Sequence, residues 1–184
     1  MVVIRQCGLF GYNNQMDDEI LEIVNEQGEV LGLAPRSEIH GNPSLWHRVV
    51  HVLVFNQRGE LLLQKRSMDK DVAPGRWDTS VGGHVNPGES LAKAAARELM
   101  EELGVEAEPE FVYSYVHTNP YETEVVHTYT CRHDGGFAFN REEIDEVRFW
   151  SIGEIMEQMD GPTLSDNFKH EISTYLEGMK EQGL

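Results

Sequence analysis

The sequence predicts an α+β domain, an α/β/α sandwich built on a mixed central sheet. Three observations carry this. Short β-type runs flank Asn/Gly turns, one strongly periodic helix spans 91–103, and two further helical stretches close the chain. In order along the chain, residues 1–18 have no clean period and end in the polar run Asn13 to Asp18, which reads as an N-terminal arm. Residues 19–184 then read as one domain, a length that suits a single core. Ile20–Val24 and Glu29–Gly32 flank Asn25-Glu26-Gln27-Gly28, a hairpin signature. Val49–Phe55 and Leu61–Leu63 flank Asn56-Gln57-Arg58-Gly59 in the same way. Trp77–Val85 is strand-like and contains Gly82-Gly83, and Leu91–Leu103 is a helix stopped by Gly104. Strands follow at Glu110–Val116, Glu124–Cys131 and about Val147–Trp150, then helices at Ile152–Met159 and Phe168–Met179.

Charge narrows the function. Fifteen Lys and Arg against 32 Asp and Glu give a net charge of −17. Electrostatic capture of nucleic acid or of an anionic membrane needs clustered cations, so neither is the expected partner. No apolar run approaches the ~20 residues of a membrane span, and Arg5 interrupts the apolar N-terminus too early for a secretory segment. Cys7 and Cys131 lie far apart and imply no disulfide framework. The expectation is a cytoplasmic protein with reduced thiols, as a monomer or homodimer.

The chemistry concentrates in Gly83-x5-Glu89-x7-Arg97-Glu98-Leu99-x-Glu101-Glu102-x-Gly104-Val105. At about 100° per residue, Glu102 lies near +40° and Glu101 near −60° of Glu98, so the three carboxylates share one arc. Ala92, Ala95, Ala96, Leu99 and Leu103 form a separate apolar arc for the sheet. Clustered carboxylates raise one another's pKa unless a cation compensates, and Mg²⁺ or Mn²⁺ is the hard, oxygen-seeking choice that also binds diphosphate. A solvated acidic face is the alternative reading, disfavoured by the register with Gly83, Glu89 and Arg97.

This segment resembles, in full, the signature of the Nudix hydrolase family. The resemblance implies a Nudix-type sandwich and hydrolysis of a small-molecule diphosphate by water attack on phosphorus. It implies that Glu98, Glu101 and Glu102 hold the metal and that Arg97 and Glu89 form an orienting ion pair. The water-activating base would be Glu102 or a carboxylate before the last strand, with Glu143 and Glu146 as candidates. A nucleoside diphosphate-type substrate is expected only because the family favours it.

From about Glu22 to Trp150 the chain also resembles the type 1 isopentenyl-diphosphate isomerases and their hydrolase-like relatives. That likeness implies a second divalent-metal site at His40, His47, His84, Glu122 and Glu124, with Glu122 and Glu124 on one strand face. It also matches Arg36, Arg66 and Lys70 to diphosphate-facing positions. His51, His117, His127, His133 and His170 carry no motif. The isomerase places a catalytic Cys directly before its Gly-His pair, whereas Gly82 stands there in this chain. Glycine transfers no proton, so hydrolysis is expected; an isomerase with another acid–base residue and a non-catalytic diphosphate-binding module are the rivals. Phe111, Tyr113, Tyr115, Tyr121 and Phe168 are either base-stacking or core residues, the latter favoured at strand spacing.

Overall fold

The structure, a computed structural model, describes residues 18–70 and 72–181. The N-terminal arm and Cys7 therefore lie outside the described residues, apart from Asp18, which accepts hydrogen bonds from Ser37. The two Asn/Gly turns form alike. Asn25 Oδ1 accepts the amides of Gln27 and Glu29, Asn56 Oδ1 those of Arg58 and Glu60, and Gly28 and Gly59 take positive φ. The first turn joins β1 (Ile20–Val24) to β2 (Val30–Pro35), and a short α1 (Arg36–Ile39) follows that the sequence pattern did not indicate.

The second turn joins β3 (Trp46–Phe55) to β4 (Leu61–Arg66), yet this is not a full hairpin. The two strands pair only at Phe55 and Leu61 and then diverge. Ser80 holds the fork, donating to the Leu62 carbonyl and accepting from the Val54 amide. Each strand is thereby free to find other partners. β4 pairs antiparallel with β5 (Trp77–Asp78) on one side and β9 (Ile144–Trp150) on the other. β3 pairs in parallel with β8 (Thr123–Arg132) along its whole length. Its other edge is shared by β1 at Trp46 and His47, by β6 (Val81–His84), and by β4. β7 (Glu110–Thr118) pairs antiparallel with β8. The sheet is mixed, as expected.

Alternation along β3 separates two cores. Val50, Val52 and Val54 pack on α2 (Leu91–Leu103) with Leu62, Val81, Ala94, Ala95, Leu99 and Leu103. Leu53 and Phe55 point the other way, joining Leu61, Leu63, Trp150, Ile155, Leu164, Phe168 and Ile172. That second core lies under α3 (Ile152–Glu157), capped by a Ser151–Glu154 capping box, and α4 (Asp166–Glu181). Helices on both faces make the predicted α+β sandwich.

The bounds of α2 match the sequence reading, with Gly104 in the left-handed conformation as the stop. Its buried arc does not match. Ala92 is exposed, while Ala94 and Glu102 are buried with Ala95, Leu99 and Leu103. The helix is rolled toward its carboxylates, so one glutamate of the arc is drawn into the protein. Of the aromatic candidates, Phe168 is core, whereas Phe111 and Tyr121 are exposed. No helix among the described residues is long and apolar enough to cross a membrane.

Candidate active site

One open cavity of about 1430 Å³ reaches from α2 past β6 to the N-terminal end of α4. On the α2 side, Gly83 is the close-approach point: a Cβ there would fall inside the carboxylate of Glu98. Backbone without a side chain is what lets Glu98 lie against the strand. Arg97 gathers the surrounding groups. It donates to Glu89 from Nε and Nη2 at 3.0 and 2.8 Å, to the His84 carbonyl at 2.9 Å, to Glu98 at 2.7 Å and to Glu101 at 3.1 Å. The loop before α2 is thereby fastened to the helix by charge-assisted hydrogen bonds. Glu89 holds the guanidinium pKa well above its usual range, and Arg97 in turn lowers that of Glu89.

Electrostatics distinguish the helix carboxylates. Glu102 is 7% exposed, accepts 3.0 Å from Gln64 Nε2, and is pushed up to about 8 by burial, with Glu98 and Glu143 adding to the shift. Glu98 is raised mainly by burial, while Glu101 is more exposed. Among the described residues these three do not converge on one point as a ready ligand cluster; the guanidinium of Arg97 lies between Glu98 and Glu101. Glu143 lines the cavity with its Oε2 3.0 Å from Lys70 Nζ. Arg66 reaches Asp78 at 3.3 Å, and Arg36 lies 3.9 Å from Glu19. All three predicted cations border the cavity.

On the other side of β6 the His/Glu set does converge. The rings of His40, His47 and His84 are mutually 5.3–5.4 Å apart, and His40 Nε2 faces His84 Nε2 at 3.3 Å. His47, Glu122 and Glu124 form an overlapping cluster, and His40 Nδ1 lies 3.4 Å from Glu122. Glu122 precedes β8 rather than lying on it, yet both glutamates are buried. Glu19 orients His84 through a 2.9 Å contact to Nδ1. Burial pushes His47 down to about 3, with His84 and His40 adding to it, and lowers His40; Glu124 rises to about 7, from burial and then Glu122. Neutral imidazoles are in the state that ligates metal. Both ring nitrogens of His47 and Oε2 of Glu122 are buried without a hydrogen-bond partner. Such orphans cost about 1–3 kcal/mol each unless something satisfies them. The donor set fits a divalent cation.

Sequence reasoning missed His51, Gln64 and the α4 contributions Asn167 and Glu171. His51 left a usable signal: on a strand, the residue four after His47 shares its face. Nothing in the sequence places α4 opposite β3.

An α+β sandwich that sets a carboxylate-rich helix beside a deep polar cavity is the architecture of the Nudix class. The NUDIX domain model matches residues 45–171, and the chain belongs to this family as a Nudix hydrolase. It is 33% identical over 156 residues to an uncharacterized Nudix hydrolase of Clostridium acetobutylicum, covering 72% of this chain and 73% of that protein. It is 34% identical over 154 residues to an isopentenyl-diphosphate Delta-isomerase of Streptomyces avermitilis, covering 79% and 78%. A crystal structure of a Deinococcus radiodurans protein superposes with a TM-score of 0.73 at 28% identity, covering 85% of this chain and 98% of that one.

Proposed function

We propose that the protein is a divalent-metal-dependent hydrolase that cleaves the diphosphate linkage of a nucleoside diphosphate-type substrate. The observation that carries this is the intact set Glu98, Glu101 and Glu102 on the cavity wall, braced by Arg97 and Glu89. In this reading those glutamates hold Mg²⁺ or Mn²⁺, and His40, His47, His84, Glu122 and Glu124 hold a second divalent cation. When bound, the metal neutralises diphosphate charge and makes a water more acidic. The protein's own part is positioning and charge. Lys70, Arg66 and Arg36 draw the phosphates into an otherwise acidic protein. Water attacks phosphorus, the bridging P–O bond breaks, and Glu102, ionised once the cation offsets its burial among Glu98 and Glu143, accepts the proton. Glu143 is the weaker candidate base because Lys70 already pairs with it.

The name of the Streptomyces relative supports a second reading, an isomerase of isopentenyl diphosphate. Gly82 speaks against it, since no proton-transferring side chain stands before Gly83-His84. The test is a panel of nucleotides, sugar nucleotides, coenzyme and isoprenoid diphosphates in Mg²⁺ and in Mn²⁺, read by phosphorus NMR. Metal-dependent cleavage between phosphates, lost in Glu102→Gln, is the expected result. Double-bond isomerisation without cleavage would establish the second reading, and tight binding without any product would leave a diphosphate-binding module.

A further inference from the structure

His51 lies on β3 under the cavity floor, 5% exposed, among the residues that line the cavity. Its Nδ1 is 3.0 Å from Oε1 of Glu171, a fully buried carboxylate on α4. Thr128 donates to the same oxygen at 3.0 Å, which fixes the carboxylate and so the ring. Among the described residues Nε2 has no hydrogen-bond partner and is not sealed from solvent, so this nitrogen opens to the cavity. Gly82 makes the room. A Cβ at that position would lie 3.2 Å from Cδ2 and 3.3 Å from Nε2 of His51, so the imidazole edge would have to give by a few tenths of an ångström to any side chain there.

The neighbouring wall is polar. Ser165 donates to Asp78 at 2.7 Å, and Asn167 donates to Glu124 at 3.2 Å. Asp78, Ser165 and Asn167 all border the same cavity, beside the Glu124 carboxylate of the second cation site. Covering such groups with hydrocarbon is unfavourable wherever one is left unpaired. Hydroxyl groups can pair with both an imidazole nitrogen and carboxylate oxygens.

We propose that His51, held by Glu171, contacts the non-phosphate part of the substrate through Nε2, and that this part bears hydroxyl groups rather than a hydrocarbon chain. His51 is then a specificity-determining residue and Glu171 its positioning residue. The inference rests on the diphosphate-hydrolase reading above and names the contact that reading leaves open.

The test separates the two halves of the ligand. With wild-type protein carrying ¹⁵N-labelled histidine, and Ca²⁺ in place of Mg²⁺ to hold back turnover, the Nε2 resonance of His51 is followed on adding four probes. These are CDP, UDP-glucose, isopentenyl diphosphate and methylenediphosphonate; His51→Gln assigns the signal. A shift with CDP or UDP-glucose and none with the other two is expected. No shift with either hydroxylated probe overturns the proposal, as does an equal shift with isopentenyl diphosphate or methylenediphosphonate. In kinetics, His51→Phe and Glu171→Gln should raise KM for the hydroxylated substrate by about tenfold or more and about threefold, with kcat less affected. Inhibition by methylenediphosphonate should stay within about twofold; a parallel loss of that inhibition would mark a structural role and overturn the proposal. Absence of turnover with every probe would count against the hydrolase reading, while the resonance of His51 would still decide this one.

Discussion

Gly83→Ala should separate the site from the fold. The added methyl would occupy the place of the Glu98 carboxylate, and the group that must yield is the far end of a flexible side chain rather than backbone. The cost to folding is accordingly small, about 1 kcal/mol, or roughly 2–4 °C in Tm for a chain of this size. The cost to activity is not small. Restoring ordinary contact moves the carboxylate by on the order of 1 Å, and a displacement of that size costs about 10²-fold in rate, or about 2.7 kcal/mol of barrier. The same movement breaks the 2.7 Å bond from Arg97 to Glu98, so Mn²⁺ affinity should fall about 10–100-fold. Steady-state kinetics, calorimetric Mn²⁺ titration and thermal unfolding on one preparation make the comparison. Wild-type kcat/KM in the variant would refute the assignment of Glu98 to the reaction. A fall in Tm large enough to account for the lost activity would refute the claim that the overlap is confined to the carboxylate.

Three further outcomes follow from the same geometry. Arg97→Lys, which keeps one charge but loses the fork that joins Glu89, Glu98 and the His84 carbonyl, should lower kcat about 10²-fold, and full activity would show the brace to be dispensable. His84→Ala should reduce bound Mn²⁺ by one equivalent, measured by equilibrium dialysis, with the α2 site still filled; unchanged stoichiometry would remove the second site from the account. Between pH 7 and 9, above the range where the lowered His47 and His127 act in the opposite sense, metal-free protein should lose stability with rising pH. Glu102, raised to about 8 from an ordinary 4.5, and His51, raised to about 9 from 6.5 against the opposing effect of burial by the charge of Glu171, both bind protons more tightly when folded. Their contributions are complete below pH 4.5 and 6.5 respectively and decline until about pH 8 and 9. Mn²⁺ should therefore raise Tm more at pH 8 than at pH 5, and a flat apo profile from pH 7 to 9 would contradict the shifts.

Much of this was legible in the residues. Asn25 and Asn56 with Gly28 and Gly59 mark turns because their chemistry is local, and Gly104 ends α2 for the same reason. The carboxylates of α2 could be grouped by helical arithmetic alone. The roll of the helix could not, because burial of Glu102 in place of Ala92 depends on what the opposite face meets. Likewise the turn at Asn56 implied a hairpin, but Ser80 holds β3 and β4 apart after one pair, and no local signal reports a serine twenty-six residues from the amide it receives.

By itself the sequence determined the approximate positions of most strands and of every helix but α1 among the described residues, the spacing of Gly83, Glu89, Arg97, Glu98, Glu101 and Glu102, and the order of the His/Glu set. These follow from periods of two and 3.6 residues and from residue chemistry, which act over a few positions. Tertiary structure decided which groups meet. It brought His40, His47 and His84 within reach of Glu122 and Glu124 through the parallel pairing of β3 with β8, and it laid Glu171 of α4 against His51. Those pairings join residues up to 120 positions apart, where contact is selected by competition among whole packings of the chain rather than by any local preference.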